Sequence, residues 1–213
     1  MGAEVGTAPR RYASPRREQQ AAQTRASVLD AAVELFGERG WTGTGVRDVA
    51  RQAGVSVETV YSAFGSKVGL FKAALDVSVV GDLVQVPLAE RPEFARIGAG
   101  TTVDRAAAAA ALVRQINERV SGLRDALREG AYAEPELATL LTELEQRRTA
   151  DVRQGARMLA GEDVADPVVG GLWAVVSVEV FQLLTAHAGW SADHYETWLA
   201  DTIGRLLAPA EGK

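Results

Sequence analysis

The chain has no cysteine and only two histidines, His187 and His194, among 213 residues. Without thiols there is no disulfide framework and no thiolate metal site, a composition that suits a reducing cytoplasm. Neither histidine has a serine or carboxylate partner at a recognisable catalytic spacing. His187, Asp193 and His194 do not form a metal-ligand pattern either, because two histidines separated across Gly189 in this way match no known ligand geometry. A Walker loop and a Gly-x-Gly-x-x-Gly unit are both missing and no strand is predicted, which excludes a dinucleotide fold. No catalytic residue, metal ligand or cofactor is therefore assigned. Long apolar runs are also lacking. Val168–Leu184 comes nearest to a membrane span, but it is short and Glu179 interrupts it, so a buried helix and no membrane partner are expected. The first residues, MGAEVGTAPRRYASPRREQQ, lack the apolar core of a signal peptide.

What is present is a hydrophobic content of 47%, ample for a buried core in one large or two small domains. Net charge is −5, yet its distribution is uneven. Residues 1–72 carry ten Lys/Arg against seven Asp/Glu, and residues 73–213 carry thirteen against twenty-one. A positive end on an acidic body suits a protein that meets phosphate with one end only.

Residues 1–17, with Pro9, Pro15 and two Arg pairs, read as a disordered basic tail. A first helix is expected from Glu18 to Glu38, its apolar face made by Val28, Ala31, Ala32, Leu35 and Phe36. Val46, Val49, Ala50 and Ala53 then recur at helical spacing, with Thr44 as the expected cap and Gly54 as the stop. Ser56 offers the next cap, and Val57, Val60, Tyr61 and Phe64 carry a second short helix. Two short helices about a Gly turn make a helix-turn-helix, whose second helix fits a DNA major groove. Ser56, Val57, Glu58 and Ser62 project opposite or beside its core residues Val60 and Phe64. Glu58 can accept from a cytosine amino group or complement the positive helix end, and the sequence leaves both open.

These residues also carry a resemblance. Ala50-x-x-Ala53-Gly54-Val55-Ser56-x-x-Thr59-Val60-Tyr61-x-x-Phe64-x-Ser66-Lys67-x-x-Leu70 resembles the DNA-binding signature of the tetracycline-repressor-like (TetR) family of bacterial regulators. Upstream, Ala31-Ala32-x-Glu34-Leu35-Phe36-x-Glu38-x-Gly40-Trp41-x-Gly43-Thr44 resembles the first helix of that family and the turn after it. The resemblance covers roughly residues 24–76. It implies that Thr44, Thr59, Tyr61 and Lys67 contact phosphate. The chain departs from the pattern after Tyr61, where Ser62-Ala63 replaces an aromatic followed by His.

Downstream of the motif a fourth helix is expected to about Asp82, followed by a Pro/Gly-rich connection over 84–101 in which Phe94 and Ile97 dock. Long helices follow over about Val103–Tyr132, Pro135–Leu159 and Pro167–Ala188, and a last one from Ser191 to Leu207. Arg114, Arg119, Arg124 and Arg128 on the first of these are expected on a solvated face. Pro167–Ala188 is apolar nearly all round apart from Glu179, unless Ser177 restarts a helix after a kink.

The expected architecture is all-α: a helix-turn-helix DNA-binding head over 18–72 and a larger helical effector-binding and dimerisation body over 73–213. The resemblance implies a homodimeric regulator, most often a repressor, paired through the last two helices, bound to a double-stranded DNA operator and released by a small-molecule effector. A mainly apolar cavity is expected, lined in part by Phe94, Leu112, Ile116, Leu123, Trp173 and Val176, where a lone Glu179 would favour a cationic effector. The rivals are a regulator controlled by a protein partner and an all-helical enzyme or carrier with a relict head.

Overall fold

The computed structural model describes residues 15–82, 86 and 88–208. Among them are helices and turns but no strand, which is the all-α class expected. The first fourteen residues of the expected tail lie outside the described residues. Its last three do not belong to a tail: α1 runs Pro15–Arg39, and a proline at the first helical position loses no intrahelical bond.

The helix-turn-helix falls where periodicity puts it, with α2 over Val46–Ala53 and α3 over Val57–Phe64. Gly54 (φ 69°) supplies the left-handed residue between them. Ser56 Oγ accepts from the Thr59 amide at 3.2 Å and opens α3. The start of α2 differs from expectation. Gly45 is its cap, and the Asp48 carboxylate accepts from the Gly45 amide at 3.2 Å. Helix α4 (Lys67–Val80) opens on Ser66, whose Oγ accepts from the Gly69 amide at 2.9 Å, and stops at left-handed Gly81.

Short turns at Leu88–Glu90 and Arg96–Gly98 flank α5 (Pro92–Ala95), and Phe94 and Ile97 are buried as their apolar character predicts. Thr101 and Asp104 cap α6 (Thr102–Ala131) reciprocally. Pro135 opens α7 (Pro135–Ala160), and Gly161 ends it. The expected single helix over Pro167–Ala188 is broken into α8 (Asp166–Val175) and α9 (Val178–Gln182), with a π turn over Leu183–His187 and a bend of 43° between the two arms. Ser177 makes the break by accepting from the Val180 amide at 3.2 Å. Buried Asn117 on α6 donates to the Val176 carbonyl at 3.3 Å, so the acceptor freed by the break keeps a donor. Helix α10 (Ala192–Leu207) closes the described chain on the Ser191 cap. No single helix among the described residues is long and apolar enough to cross a membrane.

The apolar side chains gather into two cores. The first joins α1–α4 around Phe36, Trp41 and Phe71, and it takes in Leu123 and Leu127 of α6 with Leu137 and Leu140 of α7. The second joins Phe94, Ile97, Ala110, Leu159, Leu172, Phe181, Tyr195 and Ile203. Helix α6 therefore belongs to both. Where it crosses α1 the backbones nearly touch: a Cβ on Gly122 would lie 2.5 Å from the Gly37 carbonyl oxygen. A Cβ on Gly37 would meet nothing within 4 Å. We expect Gly122→Ala to lose about 1–3 kcal/mol, the usual range for overpacking, while Gly37→Ala leaves stability equal or slightly higher. Urea unfolding of the two variants checks this, and equal stabilities would mean that α6 is free to move off α1.

Candidate nucleic-acid interface and effector cavity

The outer face of α3 is built from few parts. Val60 is buried and fixes the helix on the first core, leaving Ser56, Glu58, Tyr61 and Ser62 exposed and Val57 and Thr59 half-buried. Tyr61 is 48% exposed despite its large apolar ring. The hydroxyls of Ser56 and Thr59 stand 3.1 Å apart. The Glu58 carboxyl is held below the usual carboxylate range by its own amide and by the Ser56 hydroxyl. Its negative charge thus complements the open amides of the first turn of α3. Behind α3, Arg25 of α1 donates to the Ala63 carbonyl at 3.4 Å, and its guanidinium lies 4.4 Å from the centre of the Phe64 ring.

Two of the residues assigned to phosphate by resemblance are placed elsewhere. Thr44 is only 1% exposed, and its hydroxyl donates to the Leu35 carbonyl at 2.9 Å. It ties the turn to α1 and neither caps α2 nor faces outward. Lys67 Nζ donates to the Trp41 carbonyl at 2.6 Å and sits 4.0 Å from the centre of the Trp41 ring. Desolvation pushes its pKa down, against the pull of Glu129 and Glu134. Lys67 is thus half-buried and bonded within the protein.

Glu129, near the end of α6, is a positioning residue that sequence reading missed. Its carboxylate accepts from the Trp41 amide at 2.8 Å, from the Thr42 amide at 3.3 Å and from the Thr42 hydroxyl. These bonds hold the turn that leads into α2. They lower the Glu129 pKa, the Thr42 hydroxyl contributing most, and the Lys67 charge adds to the effect.

Between α4, α5, α6, α7 and α8 lies a cavity of about 820 Å³, within the range of small-molecule sites. Phe94, Leu112, Ile116, Val176 and Glu179 line it. Leu123 does not: it is 1% exposed and packs in the first core. Trp173 does not either. It is 37% exposed on the outer side of α8, with the Arg148 guanidinium 4.4 Å from its ring centre. Glu179 is in the first turn of α9, and it is not a lone carboxylate, because it is ion-paired with Arg128 and lies 3.8 Å from Arg124 Nε. The cationic effector inferred from its isolation therefore loses its basis.

Several polar residues of the wall were not anticipated. Arg124, Arg147, Arg148, Asp76 and Asp151 all border the cavity. The expected solvated arginines of α6 each have fixed partners. Arg114 bridges Glu118, Asp193 and Glu196; Arg119 donates to the Ser78 and Val79 carbonyls; Arg124 meets Glu145; and Arg128 meets Glu179. Their spacing held the signal, because steps of five, five and four residues cannot stay on one face at ~3.6 residues per turn. Among the described residues no three His, Asp or Glu side chains are gathered to hold a metal ion.

Residues 28–74 match the family model described as "Bacterial regulatory proteins, tetR family". The HTH-type transcriptional regulator AlkX of Mycobacterium tuberculosis is 46% identical over 56 residues, 26% of each chain. The HTH-type transcriptional repressor ComR of Escherichia coli is 38% identical over 52 residues, 24% of this chain and 25% of that one. These alignments span about a quarter of the length of the curated relatives. Over the whole chain the likeness is structural. A TetR-family regulator from Rhodococcus superposes with a TM-score of 0.64 at 21% identity, covering 87% of this chain and all of that one. The multidrug binding protein EbrR, solved with imidazole, gives 0.56 at 20% identity over 97% and 100%. At these identities the structures speak for the fold.

The Glu129 anchor has a testable pH signature. A depressed folded-state carboxylate stabilises above its unfolded pKa, about 4.3 for glutamate, and the stabilisation is lost as pH falls through the lower folded value. Glu129→Gln should therefore melt below wild type at neutral pH, with the gap closing on acidification. A gap that is independent of pH would deny the anchor its charge.

Proposed function

We propose that this chain, whose residues 28–74 match the TetR family of bacterial regulatory proteins, is a DNA-binding transcriptional regulator of that family, a homodimeric repressor released from a palindromic operator when a small molecule enters the body. The observation that carries this reading is the free outer face of α3, delivered by the Gly54 turn and the Ser56 cap. Ser56, Glu58, Tyr61 and Ser62 stand exposed on a helix that the core holds from behind. A helix presented in this way enters a major groove with its first residues at the base edges. Thr59 and Tyr61 are the phosphate donors in this reading, since both carry hydroxyls on the presented helix. Lys67 is left out, and the electrostatic share falls to exposed cations such as Arg47 at the start of α2.

The effector part rests on the cavity, whose volume and mostly apolar wall suit a small organic molecule. The dimer part rests on α8 and α10. Helix α8 exposes Gly170, Trp173 and Ala174, and Leu183 beyond its break is 59% exposed. Small residues beside an apolar ring allow a close helix pairing, and two copies would build a four-helix bundle. Two heads fixed by such a bundle would meet half-sites about one helical turn, or a multiple of it, apart.

Selection of bound duplexes from a random library tests the reading, and it should return a site with two-fold symmetry. Against that site Tyr61→Phe should weaken binding by about 1 kcal/mol, and by the same factor on an unrelated duplex, as expected for one lost phosphate bond. Glu58→Gln should instead change the order of preferred sequences. Fluorescence anisotropy on both duplexes checks both variants, and a Tyr61→Phe loss confined to the selected site would move Tyr61 to the bases. Ala174→Arg should yield monomers in sedimentation while melting like the wild-type monomer fold, because the side chain is exposed within one subunit. A dimer that survives would place the pairing surface off α8.

A further inference from the structure

The cavity wall carries one unmet polar demand. Arg124 projects from α6 with its side chain only 12% exposed. One of its terminal nitrogens is in close contact with Glu145, but its buried Nε has no hydrogen-bond partner among the described residues. Glu179 Oε1, at 3.8 Å, is too far to accept from it, and Glu179 is already taken by Arg128. A second guanidinium, Arg148 of α7, shares the same Glu145 carboxylate at 3.2 Å and donates from its other terminal nitrogen to the Trp173 carbonyl. Two cations therefore border the cavity around a single carboxylate. Burial pushes both guanidinium groups down to about 10, and for Arg124 the repulsion of Arg128 and Arg148 adds to it.

An acidic pair competes for the opposite conclusion. Asp76 and Asp151 also line the cavity, and desolvation raises both carboxyl groups. Two differences decide between the pairs. Arg147 is a cavity residue whose charge already acts on both aspartates. A desolvated carboxyl can also relieve its cost by taking a proton, whereas a guanidinium remains charged and keeps every donor. The demand at Arg124 Nε persists until an acceptor reaches it, and an anionic acceptor makes the strongest such bond.

Resting on the effector reading above, we propose that the cavity takes an amphiphile with one carboxylate head seated on Arg124 and an apolar body lying along Phe94, Leu112, Ile116 and Val176. The carboxylate completes the Nε bond, and Arg148 adds charge beside it. The apolar body meets the aliphatic and aromatic side chains that make up most of the wall.

Isothermal titration of the full chain with decanoate, 1-decanol and decyltrimethylammonium, all below micelle-forming concentrations, tests the head-group choice at constant chain length. Wild type should bind decanoate about ten- to a hundredfold tighter than either other probe, as for one hydrogen bond to a charged group. Arg124→Met should bring decanoate to the level of decanol and leave decanol itself unchanged. Asp151→Asn, in the rival pair, should leave the decanoate preference intact. Tightest binding by decyltrimethylammonium, weakened in Asp151→Asn, would overturn the proposal in favour of the acidic pair. Equal binding of decanoate and decanol would overturn the anionic head while leaving the cavity as an effector site. No binding by any probe would remove the effector reading and the proposal together. The ranking by wild type decides even if Arg124→Met fails to fold.

Discussion

One helix belongs to two cores, and the structure depends on that sharing. Thirty-residue α6 is about 45 Å long at 1.5 Å per residue. Its first half packs Ala106, Ala109, Ala110 and Leu112 into the core of the body. Its second half packs Leu123, Ala126 and Leu127 under the head. The second arrangement requires backbone contact with α1, and glycine at 122 is what permits it. Gly130, near the end of α6, is crowded by side chains instead, since a Cβ there would lie 2.4 Å from Leu137 Cδ1 and 2.9 Å from the Trp41 ring. A rod clamped at both ends in this way cannot shift at one core without moving at the other, because packed interiors do not deform smoothly.

The polar contacts at the head end sharpen the clamp. Glu129 holds the amides of Trp41 and Thr42, while Lys67 holds the Trp41 carbonyl from the first turn of α4. Both sides of one short turn are therefore fixed, one from α6 and one from α4. The cavity is lined by residues of these same two helices, among them Leu112, Ile116, Val120 and Arg124 of α6 and Ala73, Asp76, Val77 and Val80 of α4. Under the effector reading, a ligand that wedges α4 from α6 acts on both supports of the turn that leads into α2. Its reach is then set by how much better it binds the wedged state, and by nothing else.

What was legible in the chain is what local chemistry decides. The stop of α2 at left-handed Gly54 and the start of α3 at the Ser56 cap follow from hydroxyls, amides and one missing Cβ within four residues of each other. The docking of Phe94 and Ile97 follows from apolar residues inside a polar connection. What was not legible depends on distant partners. Leu123 continues the apolar stripe of α6 without a break, and nothing along the stripe says that its lower half faces a different core. Thr44 and Lys67 match positions that often meet phosphate, but the Leu35 and Trp41 carbonyls that hold them are found only after folding. Trp173 is apolar enough for a cavity, yet Arg148 draws its ring outward.

The break between α8 and α9 shows how one local signal reorganises the site. An unbroken apolar helix would have left Glu179 a lone buried carboxylate, an expensive arrangement. Ser177 instead ends one helix and caps the next, so Glu179 enters at a positive helix start with Arg128 against it. The carbonyl released at Val176 is met by Asn117, which also reaches the Tyr195 hydroxyl of α10 at 3.3 Å. The break thus gathers α6, α9 and α10 around one buried amide. It also pairs Glu179 with Arg128, which leaves it too far from Arg124 to accept from Nε. Ser177 bears on the cavity in this sense: with Glu179 paired to Arg128, Arg124 keeps Glu145 at a terminal nitrogen but has no acceptor at Nε among the described residues.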